Sequence, residues 1–268
     1  KWNGISLFSL SVPSTATDNI ISAAGVTQTS KGYEVWNVKS TSPAAIDGGS
    51  VSDATMGVFV NNYDGYNSDA SDGAHATISG ITINPISSGT GVRLYDNPSS
   101  THANVQAILG AGVTINACTD GLVVENAATS VTAMGNVAFA GQTGDYIKLI
   151  SNAANIDATT ASFDGNTGGS ASLPQNFAIE DKIMHKVDNI SLGLVRVKAA
   201  ELFVTLASGS VQRGVDAATV ADVVNVNNGT FNENVALNKE VTLAGQGPAN
   251  TILTPSVACS GNGLAFTA

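Results

Sequence analysis

Short apolar runs separated by Gly, Asn and Asp turns recur through the first two-thirds of the chain, as expected of short strands with buried faces. His75 to Ser100 holds ATISGITINP and then GVRLYDN. Thr101 to Asn126 holds VQAILGAGVTINA and then GLVVEN, and Ala127 to Asn152 holds VTAMGNVAFAG and then DYIKLISN. The repeat is about 26 residues, within the range of solenoids. Runs such as Gly112–Asn116 and Gly121–Glu125 are too short to make a stable sheet alone, so their backbone groups must pair with the rungs before and after. An antiparallel sandwich is the competing reading, but two-residue Asn-Gly or Asp-Gly hairpin signals seldom fall between the runs. The pattern therefore predicts an all-β parallel β-helix.

The pattern changes near Phe163. After FDGNTGG, the segment Asn176–Asp188 carries Phe177, Ile179, Ile183, Met184 and Val187 close to helical spacing, which predicts one short amphipathic helix with Asn176 as its N-cap. Leu194–Lys198 and Leu202–Thr205 read as a pair of strands separated by a short turn, and Ser210–Ala218 as a second short helix. The expected organisation is β-helix rungs over 1–175, a junction of helix and strand pair over 176–209, and the start of a second β-helix over 210–268.

Composition agrees with stacked strands and narrows the partners. The 268 residues include 28 Gly, with 43% hydrophobic, 6% aromatic and 12% charged residues; a helix bundle would need far more Leu, Glu and Lys. A formal charge of −10 opposes a phosphate backbone, so nucleic acid is not an expected partner. No apolar stretch approaches the roughly 20 residues that span a bilayer, and no membrane insertion is expected. Cys118 and Cys259 are too few for a disulfide framework and lie in small-residue runs, which reads as packed thiols. With no initiating Met, the chain reads as a mature or excised part of something larger.

From Ser210 to Leu253 the sequence SVQRGVDAATVADVVNVNNGTFNENVALNKEVTLAGQGPANTIL resembles the start of the pectate-lyase-like right-handed parallel β-helix domains of bacterial surface proteins and of periplasmic copper-processing NosD-type proteins. Such domains open with a covering helix of the S-x-Q-x-x-x-x-A-A type. A V-x-V-x-x-G-x-(F/Y) strand and turn follow, and N-x-x-L-x-G-x-G-x-x-x-T-I-L completes the first rung. Ser210, Gln212, Ala217, Ala218, Gly229, Phe231, Gly245, Gly247, Thr251, Ile252 and Leu253 occupy those places. Phe163 to Thr205 resembles junction segments in long bacterial surface proteins. The resemblance implies an all-β, right-handed parallel β-helix with short helical caps, and an extracellular bacterial location, secreted or on the cell surface. It carries no catalytic signature.

Enzymes of this fold mostly act on acidic polysaccharides, and clusters of the needed kind are scarce here. Arg196 and Lys198 share a strand face but lack the Asp-Asp and His-Gly partners of the sugar-acid hydrolases, so a solvated face is the plainer reading. His75, His102 and His185 show no chelating spacing, and His185 reads as a boundary residue. The densest acidic segment, NNYDGYNSDASDG from Asn61 to Gly73, offers Asp64, Asn67, Asp69 and Asp72 as hard oxygen ligands for calcium, the one cofactor the sequence suggests. The spacing is not that of an EF-hand, and a polar surface turn accounts for the same residues. Tyr63 and Tyr66 in that segment are candidates to stack on a sugar ring. Asn225, Asn227, Asn228, Asn232, Asn234 and Asn238 suggest a hydrogen-bonded ladder along the axis, with a carbohydrate face as the second reading.

Low charge, few aromatics, repetition and the lack of a convergent polar cluster point to a structural or adhesive scaffold. Its expected partners are other copies head to tail, adjacent β-helix modules of a parent chain, or a cell-surface or matrix polysaccharide. A polysaccharide lyase or hydrolase and a carbohydrate-binding module are the alternatives.

Overall fold

The computed structural model describes residues 2–8, 12–63, 73–101 and 104–255. Through Ala140 the chain visits three sheets in a fixed order. Sheet A is built from Trp2–Phe8, Ser30–Trp36, Met56–Asn61, Thr90–Tyr95, Asp120–Glu125, Ile147–Ile150 and Ile183–Met184. Sheet B is built from Ser14–Thr17, Ala44–Asp47, Ala74–Ser79, Val105–Leu109 and Thr129–Met134. Sheet C begins with Ile20–Ser22, Ser50–Ser52, Thr82–Asn84, Thr114–Asn116, Ala138–Ala140 and Ser162–Phe163. Successive turns pair in parallel throughout A and B, so the protein is a β-solenoid.

Register makes equivalent residues stack along the axis. In sheet A, Ile5, Tyr33, Val58, Val92, Leu122, Ile147 and Ile183 form one inward column. In sheet C, Ile21, Val51, Ile83, Ile115, Phe139 and Phe163 form another, ending in Phe139 and Phe163 stacked at 5.5 Å. β-branched side chains dominate because identical shapes repeat at the inter-strand spacing of about 4.8 Å and pack without gaps.

A glycine column sets the shape of the turn. Gly4, Gly32, Gly57, Gly91 and Gly121 each precede the inward residue of sheet A, where the strand bends and two consecutive positions face the core. A Cβ on Gly32 would lie 2.3 Å from Val51, on Gly57 2.2 Å from Ile83, and on Gly91 2.2 Å from Ile115. Sheets A and C therefore meet too closely for any side chain at this line.

The corners differ in tolerance. Sheet B follows sheet A after seven residues (37–43), twelve (62–73), nine (96–104) or three (126–128) in successive turns, whereas sheet C follows sheet B after two to four. The repeat is thus irregular: from Tyr33 to Val58, Val92, Leu122 and Ile147 the inward column steps by 25, 34, 30 and 25 residues. Two of those steps match the expected 26 closely and two are lengthened by the corner loops. Amides tie this corner axially. Asn126 Nδ2 donates to Asp96 O at 2.7 Å, and Asn152 Nδ2 to Asn126 O at 2.7 Å and Thr129 O at 2.8 Å. Asn37 and Asn126 adopt φ of 51° and 75°, the left-handed turn that asparagine tolerates best after glycine. A second rung-to-rung amide contact joins Asn116 Nδ2 to Asn84 Oδ1 at 2.9 Å.

The expected asparagine ladder in the later segment is not formed: Asn225 donates to Glu201 Oε2 at 2.9 Å, and Asn227 caps the N–H of Asn228. A second correction concerns the helix predicted over Asn176–Asp188. Helix α1 runs Leu173–Glu180 with Ser172 as N-cap and Pro174 in its first turn, and Gln175 Oε1 accepts the Ser172 N–H at 2.8 Å. Asn176 lies inside it, fully buried, donating to Gly168 O and Ala171 O. Ile183 and Met184 instead extend sheet A beside Ile147 and Lys148; apolar residues at those two positions satisfied a helical count while serving a strand.

Beyond α1 the expected strands at Leu194–Lys198 and Leu202–Thr205 appear as Val195–Arg196 and Glu201–Val204, joined by one antiparallel bridge between Lys198 and Glu201. They belong to different sheets: Val195–Arg196 pairs with Ile156–Asp157, and Glu201–Val204 with Val223–Val226. Helix α2, Val211–Ala217, is capped by Ser210, whose side chain accepts from Arg213 N. Its Val211 and Ala217 join Leu202, Val204, Val224 and Phe231 in a second apolar core. Phe177 of α1 meets Phe203 edge-on at 5.9 Å. No described helix is long and apolar enough to cross a membrane.

Candidate functional site

Sheet A has a second, outward face, and its first four strands form a cleft of about 470 Å³ there. The inward residues leave alternate positions pointing out. These are Asn3, Ser6 and Phe8 on the first strand, Lys31, Glu34 and Trp36 on the second, Phe59 and Asn61 on the third, and Tyr95 on the fourth. Asn62, Tyr63 and Asn97, where the two longest corner loops leave the sheet, complete the lining. Because it crosses successive strands, the cleft runs along the solenoid axis.

Eight Phe, five Tyr and two Trp are present in the whole chain, and five of these aromatic residues gather here. Phe8 and Trp36 are register neighbours and stack at 4.7 Å with 8° between their planes. Tyr63 stands edge-on to Trp36 at 6.2 Å, and Phe59 lies beside Tyr95 at 6.3 Å. Phe8 is 45% and Tyr63 52% exposed, so neither ring is spent on the core. In the same column the short side chain of Asn61 falls between Trp36 and Tyr95, and this step down between large rings opens the recess.

The charges of the cleft are internally matched. Lys31 pairs with Glu34 and sits 4.5 Å from the Phe59 ring centre, an arrangement that adds a cation–π attraction. Glu34 also accepts from Asn3 Nδ2 and, at 3.3 Å, from Asn61 Nδ2. At the margin Arg93 lies 5.7 Å from Phe59 and 5.2 Å from Tyr95, and its Nε donates to Glu125 Oε2 at 3.1 Å. Asn62 is locked by Asp96, to which it donates at 2.6 Å, and by the Asn97 N–H, which it accepts at 2.6 Å. The lining is thus held rigid by its own hydrogen bonds. Chemically it offers flat apolar rings framed by amides and a neutralised ion pair.

Of the residues singled out from sequence, Tyr63 lines this cleft. Asp64, Tyr66, Asn67, Asp69 and Asp72, together with His102 and Cys259, lie outside the described residues. Among the described residues no group of three or more His, Cys, Asp or Glu comes together as a metal ion requires. Arg196 and Lys198 are not a free cationic face, because Arg196 bonds Asp222 Oδ2 at 2.8 Å and Lys198 pairs with Glu201 at 2.9 Å. Cys118 is buried, its Sγ 3.3 Å from Asp120 O, and burial pushes its thiol pKa up, away from reactivity.

His185 is no boundary residue. It is 2% exposed, with Nε2 2.8 Å from Glu180 Oε1 and Nδ1 accepting the Val195 N–H at 3.1 Å. The ring is therefore held as the Nε2–H tautomer, tying α1 to the strand that follows.

Phe8, Trp36, Phe59 and Tyr95 were not foreseen. Their signal was present: in the repeat Gly-Φ-x-Φ-x, where Φ points inward, the x positions of a half-exposed sheet should be polar, yet Trp36, Phe59 and Tyr95 stand there. No family model, no curated protein and no solved structure matches this chain.

Proposed function

We propose that the protein is an extracellular adhesive scaffold, a β-solenoid whose sheet A carries a glycan-binding cleft. The observation that carries this reading is the aromatic platform of Phe8, Trp36, Phe59, Tyr63 and Tyr95 among amide side chains. Pyranose rings present apolar C–H faces that lie against aromatic planes, while their hydroxyl groups bond to amides at the edge. A cleft of about 470 Å³ falls in the range of ligand sites, which is about 300–1,000 Å³. The resemblance of Ser210–Leu253 to pectate-lyase-like β-helices of bacterial surface proteins supports the location and modular role.

Binding is favoured over cleavage by the state of the carboxylates. Glycoside hydrolysis generally employs two carboxyl groups facing one bond. Among the described lining residues Glu34 is the one carboxylate, and its oxygens already accept from Lys31, Asn3 and Asn61.

The scaffold part of the reading includes assembly. Ile5 and Leu7 are half-buried where their column mates Tyr33 and Val35 are fully buried, and the strands Trp2–Phe8, Ser14–Thr17 and Ile20–Ser22 are the edges of their sheets. An edge of this kind offers its backbone groups to another rung, the contact through which copies would stack head to tail.

A glycan array covering neutral, amino and uronate sugars tests the reading. The wild-type protein should bind at least one class, and Trp36→Ala, with an unchanged circular dichroism spectrum, should lose about tenfold or more of the affinity, the effect of removing a central aromatic anchor. Absence of binding to every class, or binding indifferent to Trp36→Ala, would remove the cleft from the account.

A further inference from the structure

Resting on the glycan-binding reading, we infer that the cleft selects neutral polysaccharide and excludes polyuronates, because Lys31, the cation among its described lining residues, is already matched by Glu34. A uronate chain carries one carboxylate per sugar and needs a counter-charge at the surface. Lys31 pairs with Glu34 and covers Phe59, and Arg93 at the margin is bonded through both Nε and Nη2 to Glu125 Oε2. The charge of each cation is thus already matched by a carboxylate of the protein. The Glu34 carboxylate, only partly buried, would instead repel one, and the formal charge of −10 acts in the same direction at longer range.

What remains unspent is neutral. The Asn61 carbonyl oxygen and the Asn97 amide nitrogen make no hydrogen bond among the described residues, while the other amide atom of each is engaged with Glu34 and with the Ser99 N–H respectively. One free acceptor and one free donor, held fixed by their own side chains' second bonds, match hydroxyl or acetamido groups, which both give and accept. The rings of Trp36 and Tyr95 flank Asn61 in the same column, which sets that acceptor beside the stacking surface.

Affinity electrophoresis separates this inference from the reading beneath it. Gels are cast with neutral polysaccharides (β-glucan, galactomannan, xylan, a soluble chitin derivative) or with polygalacturonate or alginate, at low and moderate ionic strength. Retardation by at least one neutral polymer and by neither polyuronate is expected. Retardation by a polyuronate alone, or more strongly than by any neutral polymer, would overturn the selectivity and leave a glycan-binding protein; no retardation in any gel would overturn both. Glu34→Gln supplies the converse: with Lys31 unmatched, retention on polygalacturonate should rise several-fold and vanish with added salt. If that variant stays folded and gains nothing, Glu34 is not the excluding group.

Discussion

Gly91 shows how much of this molecule is decided by the smallest side chain. It stacks between Gly57 and Gly121, and a Cβ there would lie 2.2 Å from Ile115 and 2.6 Å from the carbonyl oxygen of Gly121. Backbone stands on one side and a core side chain on the other, so neither neighbour can yield without moving a sheet. Gly91→Ala should therefore destabilise by about 1–3 kcal/mol through overpacking, read as a lower midpoint in chemical denaturation; an unchanged midpoint would mean that sheets A and C are less tightly joined. Gly25, by contrast, has open space about it and owes its place to a positive φ of 77°. The residue scale also holds the cleft, where Trp36 and Tyr95 occupy positions that alternation assigns to polar side chains.

At the scale of strands and helices, short apolar runs and turn residues sufficed for the parallel stack, because repetition at a solenoid period leaves few other ways to pair four-residue strands. GVRLYDN, GLVVEN and DYIKLISN were recognised as equivalent and do lie side by side in sheet A. GYEVWN and GVFVNN belong to the same series; they lie one ordinary period apart, but the twelve-residue corner loop after GVFVNN lengthens the next step and hides them from the later runs. The gathering of the aromatic residues was hidden for the same reason, since they come from four turns whose alignment the long loops conceal, although each ring alone breaks the alternation of its own strand. Ile183 and Met184 were misassigned because two apolar neighbours fit a helix and a strand alike until a partner strand is known.

Rung-to-rung ties outside the backbone also belong to this scale. Tyr146 donates its hydroxyl to Asp164 at 2.6 Å; this hydrogen bond holds the Asp164 carboxyl below its ordinary range, with burial opposing and the Gly141 N–H assisting. A depressed folded-state pKa means that the contribution is complete above the unfolded value of about 4 and is lost as pH falls through the lower folded value. Thermal midpoints should therefore decline below about pH 4, and Tyr146→Phe should flatten that part of the decline. An equally steep decline in Tyr146→Phe would assign acid sensitivity to other carboxylates.

As a whole the molecule is a β-solenoid with one face set apart. The inward column of sheet A runs without interruption from Ile5 to Ile183, so side chains from four turns are held at fixed spacing by sheet A itself. On the proposed glycan-binding reading, pre-organisation of this kind would spare the protein the cost of ordering itself around a flexible polymer. The measurement that addresses the central claim most directly is the emission of Trp36, isolated by Trp2→Phe, during titration with the neutral polysaccharide fragment that the array or gels select, with calorimetry in parallel. The account predicts a saturable change in emission whose midpoint agrees with the calorimetric affinity. Calorimetric binding with no change at Trp36 would place the glycan elsewhere on the molecule and contradict it.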